Sequence, residues 1–234
     1  MKKAVLFDLG GTLVEYYTSA EFPEILSAAI REVRECLREA GSLAVSVEDI
    51  WARVEKENYE AEGLGVRPLG GRLARVFRLD EPTASPNMMM DLCRCFMKPI
   101  FERAQLCEDA VPALRDLRDK GLKTALVSNT PWGSPAELWR EEVERLGLAG
   151  LFDALVFCSD VGWRKPDRRI FEFAMERLEV SAEDCLFVGD DPRWDLVGPA
   201  GVGMEAAIID RRGTLEVTDH EPIKSLHELA ARLL

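Results

Sequence analysis

The chain has 234 residues and a formal net charge of −12. A chain of this length can bury a hydrophobic core in one large or two modest domains. The negative charge argues against nucleic acids and anionic membrane surfaces as partners, because both attract basic proteins. No apolar segment approaches the roughly 20 residues that a membrane-spanning helix requires, so we expect no membrane association.

The six cysteines show no paired spacing, and Asp8 interrupts the N-terminal apolar segment before it reaches the length of a signal peptide. Cys158 and Cys185 lie in strand-like apolar segments, where a free thiol packs as a small hydrophobic group. Cys93 and Cys95 are too close together for the usual pair of zinc ligands. We therefore expect a reduced, cytoplasmic protein in which all the cysteines are structural.

An apolar segment at about residues 3–9 predicts a buried strand at the start of the chain. The pattern becomes helical after Thr18. Thr18 and Glu21 have the spacing of a capping box, and apolar residues then recur at helical spacing until Gly41. These signals predict a long first helix.

Two later serines, Ser46 and Ser85, mark further predicted helix starts. Between them, the glycines and proline of residues 63–71 are expected to interrupt the helical pattern. Pro99 is expected to kink or end the last helix. Residues 16–106 are therefore predicted to form a mostly helical insert with a flexible centre.

Beyond residue 106, predicted strands and helices alternate, which is typical of a doubly wound parallel sheet. Ser134, Pro135 and Glu137 have the order of an N-cap, a first-turn proline and a capping-box glutamate. We predict an α/β core formed by residues 1–15 and 107–234. Its later strands are predicted at residues 123–128, 154–158, 185–189 and 206–210, and its helices at residues 108–120, 134–146, 167–178, 194–201 and 223–234.

Polar residues follow three of the predicted strands. Asp8 ends one of these strands, and Ser128 and Asn129 end another. Lys165 does not follow a strand but lies just before a predicted helix start. Open parallel sheets carry their functional residues at the carboxyl ends of the strands. The third of these strands leads into a cluster of three acids, Asp190, Asp191 and Asp195.

The order of Asp8, Ser128, Lys165 and the acidic cluster resembles the haloacid dehalogenase (HAD) superfamily of hydrolases. The resemblance covers about residues 1–15 and 107–210. It implies an α/β core in which the helical insert acts as a cap. It also implies a phosphatase that uses Mg²⁺ to hydrolyse a small phosphorylated metabolite, as a monomer or a homodimer.

Within this resemblance, Asp8 is the nucleophile that forms an aspartyl-phosphate. Ser128 and Lys165 are the other catalytic residues, and Gly11 and Asn129 join them in binding the phosphate. Clustered carboxylates need a cation to offset their repulsion, and Mg²⁺ prefers oxygen ligands. The implied metal ligands are Asp8, the Gly10 carbonyl, Asp190 and Asp195. For Asp191, a role at the metal and a role as a solvated or helix-capping acid both stay open.

Gly10 departs from the family pattern, because most phosphatases of the superfamily carry an aspartate there. That aspartate protonates the leaving group and then activates water, a contribution worth about 10²–10⁴-fold in rate. Glu15, Tyr16, a cap residue or water could replace it, or the substrate could have a good leaving group. We expect a slow or selective phosphatase, with a non-catalytic phosphate-binding protein as one alternative.

Two further activities of the superfamily stay open. In a 2-haloacid dehalogenase, Asp8 would attack carbon and no metal would be needed, which the acidic cluster argues against. A phosphonatase lacks the same aspartate but relies on a Schiff-base lysine in the cap. Lys56 and Lys98 are the only lysines in residues 16–106, and the context of neither one distinguishes it.

Overall fold

The computed structural model of the protein describes residues 2–59, 63–79, 85–215, 221–229 and 233. Among these residues, no helix combines the length and the apolar character needed to cross a membrane. The strands are β1 (Ala4–Phe7), β2 (Val14–Glu15), β3 (Gln105–Leu106), β4 (Lys123–Ser128), β5 (Ala154–Phe157), β6 (Cys185–Gly189) and β7 (Glu205–Ile208).

The helices of the described residues fall in two groups. Those within the insert are α1 (Phe22–Glu39), α2 (Val47–Glu57), α3 (Leu69–Phe77) and α4 (Pro86–Phe101). The others are α5 (Ala110–Asp119), α6 (Ala136–Arg145), α7 (Cys158–Val161), α8 (Arg168–Leu178), α9 (Pro192–Asp195) and α10 (Val197–Ala200).

Five parallel strands form the central sheet in the order β5-β4-β1-β6-β7. Alternate residues of β1 pack into two separate hydrophobic clusters: Val5 and Phe7 into one, Ala4 and Leu6 into the other. Both faces of the sheet are therefore covered by apolar side chains, as expected for a doubly wound α/β fold. The predicted fold class is confirmed, and the central position of β1 places Asp8 at the middle of the sheet edge.

A second, two-stranded sheet pairs β2 with β3 in antiparallel register, with Val14 opposite Leu106 and Glu15 opposite Gln105. These strands lie at the boundaries proposed for the insert, so the two ends of the proposed insert lie side by side. Neither strand was predicted, because two residues are too few to show an alternating pattern.

In the insert, α1 packs along α4, and a disulfide joins Cys36 to Cys95 across this contact. The expectation of a fully reduced protein is therefore wrong for this pair. Spacing along the chain could not reveal it, because the two cysteines are 59 residues apart and meet only when the helices pack. The other four cysteines, Cys93, Cys107, Cys158 and Cys185, are free.

The start of the first helix and the centre of the insert differ from the prediction. Helix α1 begins at Phe22, and the Thr18 backbone N–H and hydroxyl both donate to the Glu21 carboxylate at 2.8 Å. Thr18 and Glu21 thus form a turn before the helix. The glycine-rich segment contains α3, which includes Gly70 and Gly71 because Leu69, Leu73, Val76 and Phe77 bury one face of it.

The other predicted helix signals are confirmed in part. Ser134 does not cap α6, because its hydroxyl accepts a hydrogen bond from Trp139 Nε1 at 2.8 Å, and Pro135 stands at the cap position instead. Helix α4 contains Pro99 and ends two residues later, at Phe101. The predicted caps at Ser46 and Ser85 are confirmed, since each hydroxyl accepts from the backbone N–H three residues later.

Near the C-terminus, the predicted helix over residues 194–201 is replaced by the two short helices α9 and α10. The predicted helix over residues 223–234 is wrong at its start, because Ile223 pairs in extended conformation with Ile209. A 3₁₀ turn follows at Leu226–Glu228. Residues 230–232 and 234 of that predicted helix lie outside the described part of the chain.

Candidate active site

Three carboxylates converge at the carboxyl edge of the central sheet. Asp8 follows β1, Asp190 follows the neighbouring strand β6, and Asp195 ends the short helix α9. One oxygen from each carboxylate lies within 4.8 Å of the others. The Asp8 backbone N–H still donates to Val188 at 2.9 Å, so the strand pairing extends to the predicted nucleophile and holds it in place.

Lys165 reaches between two of these acids. Its ammonium donates to Asp8 Oδ1 at 2.6 Å and to Asp195 Oδ1 at 2.7 Å, with 1% of its side chain exposed. Burial alone would lower the pKa of Lys165, but the carboxylates of Asp195 and Asp8 outweigh it and raise that pKa. The lysine is therefore a buried cation throughout the physiological range.

The Asn129 side chain positions Lys165. Its Oδ1 accepts from the Lys165 backbone N–H at 2.7 Å, and its Nδ2 donates to the Lys165 carbonyl at 3.2 Å. The end of β4 and the segment before α8 are thus clamped together. Asn129 was predicted to bind phosphate, and the contact with Lys165 gives its side chain a positioning role that the sequence could not show.

The donor set suits a hard divalent cation. Burial raises the pKa of both Asp190 and Asp195, and the charge of Asp8 adds to this effect, although Lys165 partly opposes it. When all three carboxylates are ionised, the single charge of Lys165 leaves two negative charges uncompensated in a buried site. Mg²⁺ binds to oxygen ligands of this kind, and the residues present fit it.

Two glycines allow the acids to approach the backbone. A Cβ added at Gly11 would lie 2.1 Å from Asp190 Oδ2, and the φ of Gly11 is +78°. A Cβ at Gly189 would lie 2.2 Å from Asp195 Oδ2. The Gly11 backbone N–H donates to Val14 at 2.9 Å, so this predicted phosphate donor is engaged in the turn. Gly11 therefore acts first by making room for Asp190.

Ser128 ends β4, next to β1 in the sheet, and is 5% exposed. Its hydroxyl donates to the Asn129 carbonyl at 3.1 Å. Ser128 therefore lies at the end of the strand, where the sequence predicts that a phosphate oxygen binds. Asp191 has a different position. It caps α9 by accepting from the Arg193 N–H at 3.0 Å and forms an ion pair with the Arg193 guanidinium at 2.6 Å. This favours the helix-capping interpretation of Asp191.

The insert contacts the core segment that leads into Lys165. The Val66 N–H donates to the Gly162 carbonyl, and the Arg164 N–H donates to the Leu64 carbonyl, both at 2.9 Å. The insert is thus hydrogen-bonded to the segment that precedes Lys165.

A second contact involves Trp132, in the loop after Asn129. Its ring stacks on Phe96 of α4 with centroids 5.5 Å apart, and the Arg72 guanidinium lies 3.8 Å from its centroid. Trp132 Nε1 also donates to Asn58 at 3.3 Å. The loop that follows the predicted phosphate-binding residues is therefore packed against three parts of the insert.

A family model described as haloacid dehalogenase-like hydrolase matches residues 2–203. The chain belongs to this family. It is a HAD-like hydrolase whose relatives include phosphatases, and its acidic cluster fits a metal site.

Two relatives and one solved structure illustrate the similarity. A phosphoserine phosphatase from Thermus thermophilus is 33% identical over 168 residues, covering 71% of this chain and 64% of that protein. A glyceraldehyde 3-phosphate phosphatase from Methanopyrus kandleri is 30% identical over 226 residues, covering 95% and 88%. The structure of a 2-haloacid dehalogenase from Pseudomonas syringae superposes with a TM-score of 0.68 at 24% identity, covering 100% and 98%. This last likeness shows the fold alone.

Proposed function

We propose that this HAD-like hydrolase is a Mg²⁺-dependent phosphomonoesterase that acts on a small phosphorylated metabolite. The observation that carries the proposal is the contact of one buried ammonium, on Lys165, with both Asp8 and Asp195, while Asp190 completes the acidic group. The phosphate esters that name the two reported relatives, phosphoserine and glyceraldehyde 3-phosphate, belong to the proposed substrate class.

In the proposed reaction, an Asp8 oxygen attacks phosphorus as the ester P–O bond breaks, which gives an aspartyl-phosphate. Water then attacks the same phosphorus, and the Asp8 carboxylate is released. Lys165 offsets negative charge on Asp8 and on the transferring group. Ser128, Gly11 and Asn129 are the proposed neighbours of the phosphate oxygens.

The proposed metal ligands are Asp8, the Gly10 carbonyl, Asp190 and Asp195. Bound Mg²⁺ would neutralise the phosphoryl oxygens and favour in-line attack. Asp191 is left out of this set, because its carboxylate caps α9 and pairs with Arg193.

The first test is phosphate release from a panel of metabolite phosphates, with Mg²⁺ and with EDTA. We expect turnover that requires Mg²⁺ and that is lost in Asp8→Asn. Asp191→Asn is the matched control and should keep most of the rate, because that carboxylate caps α9 and pairs with Arg193. Turnover that persists in Asp8→Asn, or in EDTA, would contradict the proposed mechanism.

Gly10 is the reason to propose a slow or selective enzyme. Among the described residues, a Cβ at this position would meet only Tyr16 Cδ2 within 4 Å, at 3.8 Å. An aspartate can therefore be introduced without a clash at its first carbon. We expect Gly10→Asp to raise kcat on esters with poor leaving groups by about 10²-fold, by restoring an acid. Unchanged rates would mean that another group already transfers a proton to the leaving oxygen.

Dehalogenation is the second candidate, and Gly10 is the observation that favours it, because a departing halide needs no proton. Chloride release from 2-chloropropionate, independent of metal, would establish it. The acidic cluster weighs against it, since dehalogenation uses no metal ion to offset the charge that Lys165 leaves uncompensated.

Two further alternatives to a phosphatase are a phosphonatase and a non-catalytic binding protein. A phosphonatase needs a neutral amine, but the hydrogen bond from Lys98 to Glu32 raises the pKa of Lys98 and keeps it protonated. Lys56, the second lysine of the insert, is exposed. Tight phosphate binding without any turnover would instead support a non-catalytic binding protein.

We propose a cytoplasmic monomer or homodimer whose partner is the metabolite, with no nucleic acid or membrane partner. The disulfide between Cys36 and Cys95 is compatible with this location only if it resists cellular reductants. Thiol labelling of rapidly quenched cells would decide this point, and light scattering would give the oligomeric state.

A further inference from the structure

The position beside Gly10 is occupied by an aromatic ring. Tyr16 Cδ2 is the one described neighbour within 4 Å of a Cβ built at Gly10, at 3.8 Å. The second nearby candidate for an acid, Glu15, forms an ion pair with Arg212. The Glu15 carboxylate is therefore already engaged by a guanidinium. Of the two residues named as candidates for the missing group, Tyr16 is the one whose side chain lies within 4 Å of the position beside Gly10.

The Tyr16 hydroxyl is buried and has no hydrogen-bond partner among the described residues. The residue is 8% exposed, and its ring meets Trp139 edge-on with centroids 5.6 Å apart. An unpaired buried hydroxyl is unfavourable and is rare in folded proteins. Such a group is explained if a ligand supplies the partner when it binds.

The surroundings of Tyr16 also suit a donor that keeps its proton. Burial raises the pKa of Tyr16, and the charge of Glu142 raises it further against the opposing effect of Arg145, with Asp8 as a smaller contributor. The phenol is thus neutral at every pH at which the enzyme would work. A neutral phenol can donate a hydrogen bond but cannot serve as the base that a second aspartate would provide.

We propose that the Tyr16 hydroxyl donates a hydrogen bond to the bridging ester oxygen of the substrate, beside the space left by Gly10. This inference rests on the proposed phosphatase function and names a further catalytic residue for it. The P–O bond breaks as Asp8 attacks, and the departing oxygen gains negative charge that Tyr16 stabilises. That oxygen then takes a proton from water, and the resulting hydroxide hydrolyses the aspartyl-phosphate.

The test is Tyr16→Phe, with Tyr17→Phe as the matched control. Tyr17 is the next residue along the chain, and burial alone accounts for its raised pKa. We expect Tyr16→Phe to lower kcat on an alkyl phosphate by about 10²-fold, the usual loss for one preorganised donor. On p-nitrophenyl phosphate, whose leaving group is stable as an anion, the loss should be under about threefold. Tyr17→Phe should leave both rates unchanged.

A purely structural role for Tyr16 would lower both rates together. The expected signature is instead a steeper dependence of log kcat on the pKa of the leaving alcohol, at an unchanged or slightly higher melting temperature. Addition of Gly10→Asp to Tyr16→Phe should recover at least about tenfold on the alkyl phosphate, because the aspartate supplies the acid.

Equal losses on both substrates, or no loss on the alkyl phosphate, would overturn this inference and leave the phosphatase function intact. Absence of Mg²⁺-dependent turnover in the unmodified enzyme would overturn the proposed function, and the role of Tyr16 with it.

Discussion

At the scale of single residues, the site depends on close approaches that only glycine permits. Gly11 combines a φ of +78° with a carboxylate oxygen 2.1 Å from the place of its absent Cβ. Gly121, at the end of the loop after α5, has a φ of +77° and no described atom within 4 Å of that place. The two glycines therefore differ in steric contact while sharing a positive φ.

This pair predicts different outcomes for the same substitution. Gly121→Ala should cost about 1 kcal/mol of unfolding free energy, the usual penalty for a left-handed alanine. Gly11→Ala should cost more and should also displace Asp190, so that the rise in melting temperature on adding Mg²⁺ is lost. Thermal unfolding of both variants with and without Mg²⁺ measures this. An undiminished Mg²⁺ effect in Gly11→Ala would argue against Asp190 as a ligand.

At the scale of elements, the contact between α1 and α4 is the main one within the insert. Ile30, Val33 and Leu37 of α1 are buried, as are Cys93, Phe96 and Met97 of α4. The Cys36–Cys95 disulfide lies on the same contact and closes a loop between residues 59 positions apart. A cross-link over such a loop restricts the unfolded chain and stabilises the folded one.

Reduction should therefore weaken the insert. We expect a reductant to lower the unfolding free energy by about 2–4 kcal/mol, measured by urea denaturation with and without dithiothreitol. Cys36→Ser should show the same loss and no further response to reductant. Cys185→Ser, which removes a free buried thiol, is the control that should keep the response. A wild-type protein that ignores the reductant while labelling at six thiols would contradict the disulfide.

At the scale of the whole molecule, Asp109 links distant segments of the chain. Its carboxylate accepts from Arg211 at 2.8 and 3.0 Å, from the Ser225 hydroxyl at 2.9 Å and from the Leu226 N–H at 2.8 Å. Arg211 also donates to the Thr12 carbonyl at 2.7 Å, in the turn after Asp8. Hydrogen bonds through Asp109 and Arg211 thus connect Ser225 and Leu226 to the turn that follows Asp8.

Burial alone would raise the pKa of Asp109, but these hydrogen bonds outweigh it and lower that pKa. A carboxyl group with a lowered pKa stabilises the fold above its unfolded value of about 3.9, and this contribution disappears as the pH falls through its folded value. Asp109→Asn should therefore cost about 3 kcal/mol at pH 7, and the difference from wild type should shrink below about pH 4. Urea denaturation across pH measures both.

Asp116→Asn is the control on the same helix, because Asp116 is exposed and its carboxylate pairs with Lys120 one turn away. Its effect should stay below about 1 kcal/mol. A cost for Asp109→Asn that does not change with pH would mean that the ionised form of the carboxyl group is not what holds these segments.

Local patterns in the sequence determined the order of strands and helices in the core and the polar residues that end the strands. Parallel strands bring their carboxyl ends to one edge, so Asp8, Ser128 and the acids after β6 could be placed together in advance. Capping at Ser46 and Ser85 was equally local, because each serine and the N–H that donates to it are three residues apart.

Only the tertiary structure decided which side chains meet across the chain. The contact of Lys165 with both Asp8 and Asp195 spans 157 and 30 residues, and the clamp from Asn129 spans 36. The disulfide, the burial of α3 and the position of the Tyr16 ring beside Gly10 are decided in the same way. Periodicity and capping report on neighbours along the chain, whereas these contacts depend on how whole elements pack.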